Sequence, residues 1–350
     1  MTTTLPDTTS QNLRRQVSRS RATWPAWGWS LIGVIGVWLC IIAVSSGSPL
    51  QPLNQALTLA PYLVLVALGQ MLVITLGPGN IDVSVGAIIS MTAYVSVAIS
   101  SSMGPAAGIA AATGAGVAAA ACSVIAILVL RVPPIIATLA TSLIVASATL
   151  LLADANRSGA APALRDFVNA RVAGIPVIAI LVALVTVAVA FALRRTTFGL
   201  AVIATGQSFK AAGKAGIRVA FVTAVVYLLS GAFAGLAGAL LAAFISPSTV
   251  LGTSYMLDSI AVVVIGGTLI AGGRPVPIGL WTGAMFFVLL SGLLNLVGWS
   301  VGAQNILKGV LVVLVVVISS TATKTGRSTW RRLLEGRRTS TPITKEKTHG

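Results

Sequence analysis

A chain of 350 residues that is 56% hydrophobic and only 9% charged has too little polar surface to cover a soluble globule of its size. These values exclude an ordinary soluble domain and predict an all-α polytopic membrane protein. The net charge of +16 could indicate nucleic-acid binding, but most of the cations lie in the two tails and one internal stretch, with long uncharged runs between them. Membrane topology and anionic lipid explain this distribution better, so no nucleic-acid partner is expected.

The first segment, residues 1–29, is polar and basic and ends with Trp24, Trp27 and Trp29, which are typical of a membrane interface. We expect it to be a cytoplasmic tail. Residues 30–46 could be the core of a cleaved signal peptide, but the long polar region before them and the apolar runs after them favour a retained anchor.

Apolar runs suited to crossing a membrane recur through residues 30–320, which we predict to be the transmembrane domain with about ten spans and two pseudo-repeated halves. Lys308 lies inside the last run and Pro61 inside the second, and they mark places where a helix could kink, break or face a partner. The runs are about 30–46, 54–76, 81–101, 106–130, 135–153, 174–193, 219–245, 256–271, 276–297 and 303–320.

The distribution of Lys and Arg predicts the orientation, because these residues accumulate on the cytoplasmic side. With ten spans and a cytoplasmic N-terminus, most cations outside the spans fall in the cytoplasm, including Arg274 and the stretch 194–218. The opposite side receives three arginines between residues 154 and 173. The basic segment 321–350 is then a second cytoplasmic tail, lying on the anionic leaflet.

Polar residues inside the apolar regions are candidates for a translocation pathway, because a carboxylate at membrane depth usually faces a cavity or a neighbouring helix. The stretch 77–86 combines helix breakers with Asn80, Asp82 and Ser84, and Asp258 is a second buried acid. A helix cap is the alternative, with Asn80 as N-cap and Asp82 in the first turn of a helix, or with Asp258 near the start of another. The sequence leaves both interpretations open.

The stretch 194–218 is basic and half-polar and contains no acid. Its segment from Gly206 to Lys214 superficially resembles a phosphate-binding loop, but the glycine–lysine spacing is too long and Ala215 replaces the metal-binding hydroxyl. The sequence shows no nucleotide loop, metal cluster or catalytic constellation. We therefore expect a transport protein without enzyme activity or a cofactor of its own, driven by an ion gradient or by a partner.

Five segments, in order, resemble motifs of the permease subunits of bacterial sugar-importing ATP-binding-cassette (ABC) transporters of the ribose/xylose/arabinose/galactoside type. IDVSVG at Ile81–Gly86 is similar to IDLSVG, and VPPIIATLAT at Val132–Thr141 is similar to VPPFIATLGT. The others are TTFGLAVIATG with KAAGKAGI and SGAFAGLAGAL, then YMLDSIAVVVIGGTLIAGGR, then LNLVGWS with LKGVLVVL. The resemblance extends over nearly the whole of residues 30–320.

The resemblance implies that two permease subunits, identical or different, form a channel in the bacterial inner membrane. Two cytoplasmic ATPase subunits, which bind ATP and Mg²⁺, would drive it, and an extracytoplasmic binding protein would deliver a sugar or sugar-like solute. A nucleoside, polyol or autoinducer-like solute is the alternative within the family. Outside it, the alternative is an ion-gradient-driven transporter that uses Asp82 and Asp258.

The resemblance also implies that the stretch 194–218 contains the coupling helix that docks into the ATPase. If Gln207–Ala215 is helical, Phe209 and Ala212 share one face, so an apolar knob could enter a partner groove with Lys210 at its rim. Lys210 stands where the family commonly has an acid, which suggests an ATPase with a complementary surface. A helix lying on lipid headgroups would show the same amphipathicity. The expected coupling residues are Phe198, Gly199, Gly206, Gln207, Phe209, Lys210, Ala211, Ala212, Lys214 and Gly216.

Overall fold

The structure is a computed structural model that describes residues 25–314, except Ser46 and residues 156–158, together with Val317. The predicted tail 321–350 and most of the predicted tail 1–29 lie outside the described residues. Thirteen helices and one short hairpin occur within the described part. In chain order they are α1 (Gly28–Val44), α2 (Gln51–Thr75), α3 (Val85–Met103), α4 (Pro105–Leu128), α5 (Pro134–Ala155), α6 (Pro162–Asn169), β1 (Arg171–Val172), β2 (Ile175–Pro176), α7 (Val177–Arg195), α8 (Thr197–Gln207), α9 (Phe209–Lys214), α10 (Val219–Phe244), α11 (Thr253–Ile265), α12 (Pro277–Leu296) and α13 (Val301–Leu314).

Seven of these helices are long and apolar enough to cross a membrane, namely α2, α3, α4, α5, α7, α10 and α12. Each overlaps one of the predicted runs, which confirms a polytopic helical membrane protein. The other three runs coincide with the shorter apolar helices α1, α11 and α13. The 13 residues of α11 make it about 20 Å long, less than the roughly 30 Å of a hydrocarbon core. The total of ten spans therefore stays a prediction, as do the pseudo-repeated halves.

The α2 helix is the central element of the bundle, because it contacts α1, α7, α8, α10, α11 and α12 and buries nearly all of its residues after Ala60. Pro61 lies inside α2 and is buried, and the helix continues through it without a break. Because α2 is buried on all sides, its apolar residues are not confined to one face, and the helix shows little amphipathic pattern.

The longest helix, α10, packs against α3 and α4 through small residues. A Cβ atom on Gly231 would overlap the carbonyl oxygen of Gly116, and one on Gly235 would lie 2.6 Å from the carbonyl oxygen of Ala112. Backbones can approach this closely only where side chains are missing, and such approach holds helices together where lipid is as apolar as the protein.

The loops lie at two opposite ends of α2. At its C-terminal end, the backbone N–H of Gly273 donates to the carbonyl oxygen of Thr75 at 2.9 Å, and a Cβ atom on the nearby Gly267 would lie 2.7 Å from that of Ala26. At its N-terminal end, the guanidinium of Arg171 donates to the hydroxyl of Thr58 at 3.0 Å. The start of α1 and the turn after α11 thus share one end, as the predicted topology requires. The assignment of that end to the cytoplasm stays a prediction.

Candidate functional site

The stretch 194–218 folds into two consecutive helices joined by a kink at Ser208. Thr196 caps α8, since its hydroxyl accepts the N–H of Gly199 at 3.0 Å. Ser208 has an extended backbone and caps α9, since its hydroxyl accepts the N–H of Ala211 at 3.3 Å. The interpretation of Gln207–Ala215 as one helix was therefore wrong at both ends, because Gln207 ends α8 and α9 comprises only Phe209–Lys214. A serine before a helix-forming run is a cap signal that could have revealed the kink.

The C-terminal end of α9 is closed by a glycine in the left-handed region. Gly216 has φ 85°, the N–H of Ile217 donates to the carbonyl oxygen of Ala212, and the N–H of Gly216 donates to that of Gly213, both at 3.1 Å. This pair of bonds is the Schellman motif, which satisfies carbonyl groups that the helix itself leaves open. The short α9 is thus fixed at both ends by its own sequence.

The two residues that were expected to share an apolar face of α9, Phe209 and Ala212, face different surroundings. The side chain of Phe209 is 55% exposed, whereas Ala212 is only 4% exposed and packs inward. The expected shared apolar face is therefore wrong. Phe209, Lys210, Ala211 and Lys214 are exposed instead, and we call these four residues the α9 surface. It presents an aromatic ring beside two ammonium groups, a combination suited to a partner that offers an apolar pocket with an acidic rim.

Four glycines bring the end of α8 against the end of α2 and the turn that follows α11. We call Gly77, Gly206, Gly272 and Gly273 the glycine junction. A Cβ atom on Gly206 would overlap the carbonyl oxygen of Thr75, and one on Gly272 would overlap the Cα atom of Gly77. Gly77, Gly272 and Gly273 also have positive φ, where glycine is favoured. The junction connects α8, and through it α9, to the central helix of the bundle.

The remaining predicted coupling residues divide between the interior and the surface. Phe198 is partly buried against the core, and a Cβ atom on Gly199 would overlap the backbone of Ala192 and Leu193 in α7. Gly199 thus lets α8 approach α7 closely, and neither of these two residues is exposed. Gln207 is exposed, as is Gly216.

Asp82 lies in the non-helical stretch before α3 and is 1% exposed. One carboxylate oxygen accepts the N–H of Ser84 at 3.0 Å and its hydroxyl at 2.6 Å, and the other accepts the hydroxyl of Ser230 in α10 at 2.7 Å. Nearby, the hydroxyl of Tyr227 in α10 donates to the side-chain oxygen of Asn80 at 3.2 Å. These contacts cross-link the stretch to α10.

The helix-cap interpretation of Asn80 and Asp82 was wrong in its details. α3 begins at Val85 with Ser84 as its N-cap residue, so both side chains precede the helix. Asp82 supports the helix start through the N–H and the hydroxyl of Ser84. A serine hydroxyl on α10, nearly 150 residues away, satisfies the second oxygen of the buried carboxylate, and no local pattern predicts such a contact.

Asp258 and Lys308 form an ion pair between α11 and α13. Lys308 Nζ lies 2.9 Å from Asp258 Oδ2, and both side chains are largely buried, with 14% and 15% of their surface exposed. Asp258 lies more than one turn after the start of α11 at Thr253, so the interpretation of it as a helix cap was wrong. Lys308 does face a partner within the bundle, as its position in an apolar run indicated.

Within the described ranges, His, Cys, Asp and Glu form no group that could hold a metal ion. The polar groups described above connect helices or face the surface.

Comparison with known proteins places the chain among transport permeases. Residues 53–317 match the family described as "Branched-chain amino acid transport system / permease component". The chain is 37% identical over 293 residues to the ribose import permease protein RbsC of Bacillus subtilis strain 168, which covers 81% of this chain and 90% of that protein. It is 30% identical over 315 residues to RbsC of Escherichia coli K12, covering 87% and 98%.

The autoinducer 2 import system permease protein LsrC of Yersinia enterocolitica is 31% identical over 273 residues, covering 75% of each chain. No solved structure matches the chain significantly. The family match spans most of the transmembrane bundle, including α2, the stretch 194–218 and the pair Asp258–Lys308. The chain therefore belongs to the family of branched-chain amino acid transport system permease components.

Proposed function

We propose that this protein is the transmembrane subunit of an ATP-driven, binding-protein-dependent importer of a sugar or sugar-like solute in the bacterial inner membrane. The names of the ribose import relatives support the solute class, and their similarity extends over more than four-fifths of the chain. The observation that carries the proposal is the exposed α9 surface, which the glycine junction ties to the central helix.

The α9 surface docks into an ATPase subunit. The exposed ring of Phe209 enters an apolar groove, and Lys210 and Lys214 pair with acidic groups at its rim. Such a partner also explains why Lys210 departs from the acid common in the family, because a complementary ATPase would carry the opposite charge. ATP and Mg²⁺ bind to the ATPase, and this chain takes no part in the hydrolysis.

Movement of the docked α9 passes to the bundle through α8. Gly206 near the end of α8 touches the backbone of both Thr75 and Gly273, so α8 cannot shift without moving the end of α2 or the turn before α12. ATP binding moves the docked surfaces and opens the channel toward the binding protein, and hydrolysis resets it. ATP and the loaded binding protein can shift the transporter between its two states only to the extent that each binds one state more tightly than the other.

The channel is formed with a second permease subunit, identical or different, and an extracytoplasmic binding protein delivers the solute to it.

The test is co-expression with the genes for a cognate ATPase and binding protein, followed by co-purification and an ATPase assay with candidate solutes. We expect a stable complex whose ATPase activity rises with the loaded binding protein. The absence of any associated ATPase would overturn the proposal.

An autoinducer-like solute is the second candidate, because LsrC is similar over three-quarters of this chain. Uptake of ribose and of autoinducer 2 by the reconstituted transporter separates the two candidates. An ion-gradient-driven transporter using Asp82 and Asp258 is separated by an ionophore. Its uptake would collapse with the gradient and would need no ATPase, whereas we expect uptake that continues with the ionophore and stops without ATP.

A further inference from the structure

A cavity of about 440 Å³ lies at the end of the bundle opposite the α9 surface. Gln51 and Gln55, in the first two turns of α2, line it, whereas the glycine junction lies at the other end of that helix, which is about 37 Å long. The walls come from α1, α2, α11, α12 and α13. Its size is within the range of small-molecule sites in proteins.

The polar part of the wall offers both donors and acceptors. The ion pair of Asp258 and Lys308 lines the cavity together with Gln51, Gln55 and Ser254. Each amide can donate and accept, the serine hydroxyl can do both, the carboxylate accepts and the ammonium donates. A solute with many hydroxyl groups needs such a mixture, because each hydroxyl both donates and accepts.

The rest of the wall is apolar and lies next to the charged pair. Phe287 and Leu59 line the cavity, and Lys308 Nζ lies 6.0 Å from the centre of the Phe287 ring. A sugar ring has C–H faces that pack on such surfaces while its hydroxyl groups reach the polar residues. The cavity therefore has the two kinds of wall that a carbohydrate requires.

The ion pair sets the charge of the solute that fits. Asp258 and Lys308 compensate each other at 2.9 Å, so the described residues that line the cavity offer no uncompensated charge of either sign. An anionic or cationic solute would have to separate the pair and leave one charge buried without a counter-ion, which is strongly unfavourable. A neutral solute can bind to both groups without separating them.

We infer that this cavity is a binding site for a neutral polyhydroxylated solute on the side opposite the ATPase, with the Asp258–Lys308 pair as its specificity-determining element. The inference rests on the proposed function and names the substrate class and the residues that select it. It gives the pair a role in charge selection and assigns it no part in ion coupling.

The first test measures access and occupancy by thiol labelling of the full chain in liposomes. Cys40 and Cys122 are both free and exposed, so they are replaced by Ala, and Ser254→Cys is introduced at the cavity. A charged, membrane-impermeant maleimide is added with ribose, glucose or xylitol, or with ribose 5-phosphate or glucosamine. Leu257→Cys is the matched control on α11, because Leu257 does not line the cavity and is 57% exposed on the outside of the bundle.

We expect Ser254→Cys to react and Leu257→Cys to remain unlabelled. At least one neutral solute should slow the reaction, by about tenfold at ten times its dissociation constant, and the two charged compounds should not. The inference is overturned if Ser254→Cys does not react, if no neutral compound protects it, or if the charged compounds protect equally well. Because no ATPase is needed, this result is independent of whether an ATPase associates with the chain.

The second test measures whether the loss of one charge of the pair changes which charged compounds bind in the cavity. In the Ser254→Cys background, Lys308→Gln leaves an uncompensated carboxylate and should add protection by the cation glucosamine. Asp258→Asn should add protection by the anion ribose 5-phosphate, and the double variant, which has no pair to separate, should discriminate less strictly against both charged compounds than the parent. The double variant keeps the test decisive if either single variant fails to fold, because discrimination against charged compounds as strict as in the parent would contradict the role of the pair.

Discussion

Replacement of Gly206 by alanine should damage the connection between α9 and the bundle more than any other single methyl group in the stretch 194–218. The added Cβ atom would overlap the carbonyl oxygen of Thr75 and lie 2.9 Å from the Cα atom of Gly273. Both neighbours are backbone, so neither can turn away as a side chain would. The two segments would have to separate, which would weaken the 2.9 Å hydrogen bond from Gly273 to Thr75.

The expected loss of stability is the sum of the overpacking and the weakened hydrogen bond. Overpacking in a well-packed region costs about 1–3 kcal/mol, and a lost backbone hydrogen bond adds about 1 kcal/mol. We therefore expect Gly206→Ala to lower the free energy of unfolding by about 2–4 kcal/mol. Because the junction connects the docking surface to α2, we also expect solute-stimulated ATP hydrolysis to continue while uptake per ATP falls.

The matched control is Gly213→Ala in α9, where a Cβ atom would meet nothing within 4 Å. Alanine favours the helix there by up to about 1 kcal/mol, so this variant should be as stable as the parent and fully coupled. Thermal unfolding of the purified complex measures stability, and the ratio of uptake to hydrolysis in proteoliposomes measures coupling. If Gly206→Ala matches Gly213→Ala in both assays, the junction does not transmit movement and the reasoning fails.

Three further predictions concern the cross-link before α3, the α9 surface and the ion pair. Asp82→Asn should lower the free energy of unfolding by about 1–3 kcal/mol, because an amide cannot accept all three hydrogen bonds that reach the carboxylate, and thermal unfolding measures this. Phe209→Ala should weaken ATPase binding about tenfold in a titration of the two subunits, whereas Phe221→Ala, with the same 55% exposure, should leave it unchanged. Lys308→Gln should destabilise the protein by about 3–5 kcal/mol in chemical denaturation by leaving the Asp258 carboxylate without its counter-ion, and adding Asp258→Asn should recover most of the loss.

Each of these predictions has a clear contrary result. Unchanged thermal stability in Asp82→Asn would show that the serine hydroxyl groups do not hold the carboxylate. Equal ATPase affinities for Phe209→Ala and Phe221→Ala would remove the α9 surface from the interface. A double variant no more stable than Lys308→Gln would show that the loss comes from packing and not from the unpaired charge.

The apolar runs predicted the helices well because membrane insertion depends on the composition of a local segment. The seven longest described helices each overlap a predicted run. The polar residues of the IDVSVG motif do interrupt the helices before α3. The short α11 was not foreseen, because the apolar residues of 256–271 continue past the end of the helix into a turn near Gly267. Hydropathy detects burial in an apolar environment and does not detect where the helical hydrogen bonds stop.

The missed features of the site depend on contacts between distant parts of the chain. Gly206 lies near the end of α8 and Gly273 in the turn between α11 and α12, so only the structure shows that they touch. The same holds for Asp258 and Lys308, which are 50 residues apart. The kink at Ser208 is the exception, because its cap signal is local.

The central claim, that the α9 surface is the contact with an ATPase, is tested most directly by photo-cross-linking in the complete transporter. A photoreactive phenylalanine is placed at position 209 in one sample and at position 221 in another. We predict a cross-link from position 209 to the ATPase subunit, with a yield that changes when ATP binds, and none from position 221. A functional importer that gives no cross-link from position 209 to any ATP-hydrolysing chain would contradict the account.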